Sequence, residues 1–403
     1  MSIIDFDEAI AILSGISVPF EKETIHLDEA DNRILAENIC ADRDYPPFNR
    51  AAMDGFAFMQ ADWDKGLRKY QITETIFTGQ PAKYPLNSGY CYKIMTGAAT
   101  PEMANIIIRK EDGEESEGRV TLHSEALKPY QNIARKGEDC KAGTLLLSAP
   151  SKCTPQVIAL LATVGKTTLQ VYRLPKVALI TTGDEVIDPA ASLNPFQIRN
   201  SNQYLLRSLL HQWKIKPILC EHVKDHKKQL TNILKEALEA DLVVINGAVS
   251  AGDADHVPAV LQELGVRTLF HKVNIRPGKP VLIGKGQSGT IVFALPGNPL
   301  SCLSTFTIFV EHYLYRCFGY QTRPSQMRPF LEVRTKKHGL TEFFPVRTSN
   351  SGGLNLIPFN GSGDVTAGVH AQGLAMQPAA LMQLNKEALI TYYPFHHHFN
   401  SAL

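Results

Sequence analysis

From Lys176 to about Phe318 the chain repeats one pattern of apolar run, glycine-bearing loop and amphipathic stretch. The runs KVALITTG, PILCEHV, DLVVING and TIVFALPG are rich in Val, Ile and Leu and do not alternate polar with apolar, so as strands they need cover on both faces. Between them lie NQYLLRSLLHQW, KKQLTNILKEALEA and VPAVLQELG, whose apolar residues recur at helical spacing, and a long helix from Pro299 to about Phe318 closes the series. Parallel neighbours need a crossover, and a crossover helix must bury its apolar stripe against the sheet. A doubly wound α/β domain over 175–322 is therefore expected.

At 403 residues the chain exceeds one compact core, so a multidomain protein is expected. Phe6, Ala9, Ile10 and Leu13 fall at helical spacing, and Asp28 to Ile39 reads as a second, turn-rich amphipathic segment. Between about Tyr70 and Thr144 the texture changes to short β runs, YQITETIF, YCYKIMTG, NIIIRKED and RVTLHS, broken by Gly, Pro and the acidic loop EDGEESEG. Thr154 as N-cap, Pro155 in the first turn and Gly165 as a stop then bracket one helix. The reading is an N-terminal helical and linker domain, 1–45 with 140–174, carrying an inserted β-rich domain, 46–139. After Pro324 the runs FLEVRTK, EFFPVRTS, LNLIPF and ALITYYPF predict a small β-barrel or sandwich over 323–403.

Lys plus Arg number 41 against 40 Asp plus Glu, so a formal charge of +1 gives no global field for nucleic acid or an anionic membrane. Any anion site must be local. MSIIDFDEAIAI is no basic leader, and no run of about 18 uncharged apolar residues occurs, so no membrane association and a cytoplasmic location are expected. Cys40, Cys91, Cys140, Cys153, Cys220, Cys302 and Cys317 form no Cys-x-x-Cys pair and are odd in number. That argues against a disulfide framework or zinc ribbon, and for single buried or half-buried thiols. His396, His397 and His398 read as an exposed tail in preference to a metal site.

In an open parallel sheet, ligands bind beyond the carboxyl ends of the strands. Three loops fall there: Thr181-Thr182-Gly183-Asp184-Glu185, the stretch from Asn246 to Asp255, and Pro296-Gly297-Asn298-Pro299. Gly183, Gly247, Gly252 and Gly297 permit close backbone approach, and helix N-termini attract anions. Asn298 as N-cap with Pro299 in the first turn suits that geometry. Any one loop reads equally well as an ordinary strand-to-helix turn; three together, two of them acidic, point to a site. Glu185, Asp253 and Asp255 would repel an oxyanion unless Mg²⁺ bridged them to phosphate oxygens, although Asp253 alone is better read as a helix-start residue. Lys272, Arg276 and Lys279, in a loop shaped by Pro277-Gly278, either clamp an oxyanion or form a solvated basic patch.

Taken in order, these motifs resemble the MoeA family of molybdopterin molybdenumtransferases, which includes the E domain of gephyrin. DYPPFNRAAMDGFAF is similar to the family segment that would place Asp54 at the site; MTGAATPE supplies Thr96, KEDG supplies Glu111 and RKGED supplies Asp139. TTGDE, SNQYLL from Ser201, SAGDAD, IRPGKP and LPGNPLS follow, so the match spans essentially the whole chain. The resemblance implies an elongated homodimer whose site lies between the sheet domain of one subunit and the N-terminal region of its partner. It implies adenylylated molybdopterin and molybdate as substrates, AMP as product, and an upstream molybdopterin adenylyltransferase as the supplier. Glu185 and Asp255, with Asp225 nearby, would hold Mg²⁺ and nucleotide phosphate, and Lys272, Arg276 and Lys279 the molybdate and phosphates. Gly183, Ser250, Pro296, Gly297, Asn298 and Pro299 would line the substrate site, with Asp54, Thr96 and Asp139 completing it. Ala51, Met103, Asn105, Asn246, Ala248 and Arg276 depart from the usual residues, Ser being common at 246 and Gly at 248; the ionisable set is kept, so activity is expected. A molybdopterin adenylyltransferase-like enzyme would not need AMDGF, MTGA or RKGED, and a non-catalytic scaffold would not need Glu185, Asp255 and Lys279.

Overall fold

The structure, a computed structural model, describes residues 3–124, 126–249 and 256–395. The chain forms two compact units, one of Met1–Ile25, Glu29–Ala36 and Gln170–Leu403, the other of His26–Asp28 and Glu37–Leu169.

The smaller unit contains a six-stranded sheet ordered Ile106–Arg109, Gly55–Phe58, Tyr90–Ile94, Lys69–Ile76, Arg119–Leu122, Gly113–Ser116. Alternation assigns its two faces: Phe56, Phe58, Ile106 and Ile108 join one core with Trp63 and Tyr70, while Ala57 and Ile107 join another with Tyr92 and Ile94. Helix Pro155–Thr163 begins as expected, with Thr154 Oγ1 accepting from the Val157 N–H at 3.4 Å, and it is followed by Gly165 at φ +72°. The expected amphipathic helix between Asp28 and Ile39 does not form. Leu27–Glu29 makes a single 3₁₀ turn, Asn32 sits at φ +58°, and Ile34–Leu35 and Ile39–Cys40 are strands. The Asp-Asn turn breaks the helical register, and the β-branched residues around it pair into sheets instead. Cys40 is exposed, which corrects its reading as a buried or half-buried thiol; Cys91, Cys153, Cys302 and Cys317 are buried.

In the larger unit, β1 (Val177–Thr182), β2 (Leu219–Val223), β3 (Leu242–Asn246), β4 (Arg267–His271), β5 (Leu282–Lys285) and β6 (Ile291–Leu295) form one sheet ordered β2-β1-β3-β6-β5-β4. The four strands read from the sequence are parallel. β5 and β4, not read as strands from the sequence, add an antiparallel edge, since a short connection can join antiparallel strands without a crossover helix. Val177, Leu179, Val244 and Phe293 pack with helix Ser201–His211 and the helical run after Pro299, whereas Ala178, Ile180, Val243 and Val292 pack with helices Lys227–Ala237 and Val257–Glu263. Both faces are thus covered, which is why these strands carry no polar alternation. The long helix extends through Cys317, with Phe306–Val310 in π form.

Beyond it, β7 (Gln326–Phe330), β8 (Thr341–Thr348), β9 (Leu354–Leu356), β10 (Gly373–Gln377) and β11 (Ala388–Pro394) close into a five-stranded barrel. β8 pairs with β9 and β10, β7 with β9 and β11, and β10 with β11. Phe330, Phe344, Val346, Leu354, Ile390 and Tyr392 form its core, and closure leaves no open edge in the ring. No helix among the described residues is long and apolar enough to cross a membrane.

Candidate functional site

Register brings three strand ends into line: Thr181 opposes Asn246, and Asn246 opposes Leu295. The loops that follow border a cleft of about 380 Å³ whose walls include Gly183, Glu185, Asp225, Pro296, Gly297, Asn298 and Pro299. Two glycines are required by close approach. A Cβ on Gly183, at φ +138°, would lie 3.0 Å from Glu185 Oε2, so that carboxylate sits directly over the Gly183 backbone. A Cβ on Gly247, at φ +101°, would lie 2.7 Å from the Thr182 carbonyl oxygen. The Asp225 N–H donates to Asp184 Oδ1 at 3.1 Å, tying the loop after β2 to the loop after β1.

The smaller unit holds a second constellation. Asp54 Oδ1 accepts from both the Thr96 N–H and Thr96 Oγ1, each at 2.7 Å. The backbone N–H and then the hydroxyl of Thr96, helped by the charge of Lys110, hold the Asp54 carboxyl below the ordinary carboxylate range. Asp139 is exposed, and its N–H donates to the Tyr45 carbonyl at 3.0 Å; Glu111, also exposed, lies in the 3₁₀ turn Lys110–Asp112.

Residues 4–165 match the family model described as the MoeA N-terminal region (domain I and II), and residues 178–316 match the one described as "Probable molybdopterin binding domain". The molybdopterin molybdenumtransferase of Staphylococcus epidermidis is 32% identical over 385 residues, 93% of this chain and 91% of that protein. The protein of the same name from Haemophilus influenzae is 34% identical over 309 residues, 76% of each chain. The chain belongs to the molybdopterin molybdenumtransferase family. Its fold is similar to the crystal structure of the molybdopterin biosynthesis MoeA protein from Pyrococcus horikoshii, with a TM-score of 0.80 at 28% identity, covering 97% of this chain and 100% of that one.

Three of the departures from the family pattern have a described local setting. Asn105 Oδ1 accepts from the Gln60 N–H at 2.8 Å, at the start of helix Gln60–Asp64. Ala248 keeps a left-handed backbone, φ +48°, without the glycine that would make it easy. Arg276 belongs to a short strand paired with β8 and donates from Nη1 to His338 Nε2 at 2.6 Å. Neither Arg276, Lys272 nor Lys279 is among the residues lining the cleft, although Pro280 is. Lys272 is half-buried at φ +70°, and Lys279 is exposed. Ser250, Asp253, Asp255, His396, His397 and His398 lie outside the described residues.

Asn298 occupies the N-cap position without capping: its Nδ2 donates to Ser362 Oγ at 2.9 Å. That loop is built on Asp364, whose carboxylate accepts from the Asn360 N–H, the Thr366 N–H and hydroxyl, and the Ala367 N–H. These donors, led by the Asn360 N–H, hold its pKa far below the usual carboxylate range. Reading the sequence missed Ser362, and also Asn200, which caps helix Ser201–His211 through Oδ1 to the Gln203 N–H while Nδ2 donates to Thr181 Oγ1. The run Arg199-Asn200-Ser201-Asn202 before an apolar helix was the available signal for Asn200. Among the described residues no group of three or more His, Cys, Asp or Glu converges. Glu185 and Asp225 nonetheless share the cleft, and one or two carboxylates with phosphate and water oxygens are what Mg²⁺ ordinarily requires.

Proposed function

We propose that the protein joins molybdate to the dithiolene of adenylylated molybdopterin and releases AMP. The supporting observation is the cleft at the carboxyl edge of the sheet, where Glu185 and Asp225 stand beside glycine turns that admit close approach of phosphate. The relatives' shared name, molybdopterin molybdenumtransferase, supports the transfer of molybdenum to molybdopterin. Glu185 and Asp225, joined by Asp255, would hold Mg²⁺, which when bound neutralises phosphate charge. Gly183, Gly297 and the Pro296–Pro299 turn would seat the nucleotide phosphates, and Ser250, outside the described residues, is assigned to the same substrate by the family pattern. Lys272, Arg276 and Lys279 would supply positive charge for molybdate, and a compact lysine suits a tetrahedral oxyanion. Asp54, kept ionised by Thr96, would orient the substrate together with Asp139. No covalent nucleophile is invoked; positioning and charge complementarity carry the rate. A cytoplasmic homodimer supplied by an upstream molybdopterin adenylyltransferase completes the reading.

Incubation of the protein with adenylylated molybdopterin, Mg²⁺ and molybdate tests it. AMP release that depends on molybdate is expected; release indifferent to molybdate, or no release, would refute the assignment.

A further inference from the structure

Asn202, in helix Ser201–His211, and Asn246, the last residue of β3, are 7% and 4% exposed. Asn202 Nδ2 donates to Asn246 Oδ1 at 2.9 Å and to the Gly297 carbonyl at 2.6 Å, and Asn246 Nδ2 donates to the Pro296 carbonyl at 2.8 Å. The amide orientations are forced. Asn202 faces two acceptors and must present its NH₂ group, so Asn246 must offer Oδ1 to Asn202 and Nδ2 to Pro296. This one-way relay commits two consecutive carbonyls of the Pro296-Gly297-Asn298 turn. On its other flank the turn is held by Ser362, through Asn298 Nδ2 to Ser362 Oγ and the Leu300 N–H to the Ser362 carbonyl at 3.1 Å. Asn202 Oδ1 is left buried with no partner among the described residues.

A trans peptide sets its N–H opposite its C=O. With the Pro296 and Gly297 carbonyls turned into the amide pair, the Gly297 and Asn298 N–H groups face the other way, and successive N–H groups of a turn make an anion-binding concavity. The second glycine turn stands opposite, close enough that a Cβ on Gly297 would lie 3.7 Å from Gly247 Cα.

We infer that Asn202 and Asn246 are a positioning pair that aims the Gly297 and Asn298 N–H groups into the cleft to receive a phosphate oxygen of the substrate. The identity of that substrate rests on the transferase reading above. Both side chains border the cleft, but every amide N–H they donate goes to the turn or to the other member of the pair, so the pair acts through the backbone it holds.

The test is AMP binding to the full-length protein by titration calorimetry, with molybdate-dependent AMP release measured in parallel. Asn246→Asp keeps the side-chain size but turns an oxygen toward the Pro296 carbonyl, and should weaken AMP binding at least about tenfold. Asn246→Ser can still donate to that carbonyl and accept from Asn202, and should stay within about threefold of the parent. A parent protein that does not bind AMP, an Asn246→Asp variant within about threefold of it, or an Asn246→Ser variant that falls as far as Asn246→Asp overturns the pair. Should Asn246→Asp fail to fold, Asn202→Ala, which removes two of the three donations, is held to the same limits. Expected affinities without molybdate-dependent turnover would leave the pair standing and remove the transferase reading; turnover with unchanged affinities would do the reverse.

Discussion

Ala248 shows how one backbone angle carries a stability cost. Its φ of +48° is a conformation that costs an L-residue roughly 1–2 kcal/mol. Ala248→Gly relieves this, while the freer unfolded chain takes back about 0.4–1 kcal/mol. A net gain of about 0.5–1 kcal/mol is expected in denaturant unfolding; a loss would mean that the methyl group packs more productively than its angle suggests. Glu185 presents the opposite balance. It is exposed, so Glu185→Gln should leave the melting temperature unchanged, yet slow AMP release by roughly 10² to 10³ through lost charge neutralisation. Turnover at the parent rate would remove Glu185 from the mechanism.

Between elements, a buried ion pair joins the long helix to the barrel. Arg323 Nε and Nη2 donate to Glu311 Oε2 at 2.9 and 2.8 Å, with both side chains 2% exposed, and Nη2 also donates to the Pro394 carbonyl at the end of β11 at 2.7 Å. Burial pushes the Glu311 pKa up and the guanidinium opposes it. Arg323→Met would strand a buried carboxylate and should cost about 3–5 kcal/mol by denaturant midpoint, with Glu311→Leu added to it restoring most of the loss. No recovery in the double variant would locate the cost in the Pro394 contact instead. One residue on, burial, aided by the Arg316 and Arg323 charges, lowers the His312 pKa to about 4, and its Nε2 lies 2.9 Å from Ser14 Oγ. Folded His312 therefore stays neutral while the unfolded residue takes a proton below its ordinary 6.5. Its contribution is complete above pH 6.5 and is lost as pH falls toward 4, by roughly 3 kcal/mol at most. His312→Gln should flatten the stability-versus-pH curve across that window; an unchanged slope there would show that other groups account for it.

For the whole molecule, the residues assigned to the reaction lie in two separately packed units, Asp54, Thr96 and Asp139 in one and Glu185, Asp225, Lys272, Arg276 and Lys279 in the other. The homodimer implied by the family pattern would let one subunit's set complete its partner's. Sedimentation equilibrium should therefore report a dimer at micromolar concentration, and a monomer there would count against a site shared between subunits.

Periodicity and turn chemistry, which sense only near neighbours in sequence, sufficed for the parallel strands and their helices, for the Thr154 cap, and for the three loops at the carboxyl edge that line one cleft. The C-terminal unit was foreseen as a barrel or a sandwich, and it closes as a barrel; β10 was not read as a strand, because strand pairing depends on which edges meet after collapse. The same holds for the polar contacts. Asn202 reaches Asn246 across 44 positions and Gly297 across 95, and Asn298 gives up a local cap for Ser362, 64 residues away. Arg276, read as part of an anion clamp, also donates to His338, 62 residues away. Residue type states what a side chain can donate or accept; only the packed chain determines which acceptor stands within 3 Å, since a buried donor must take the partner that folding leaves beside it.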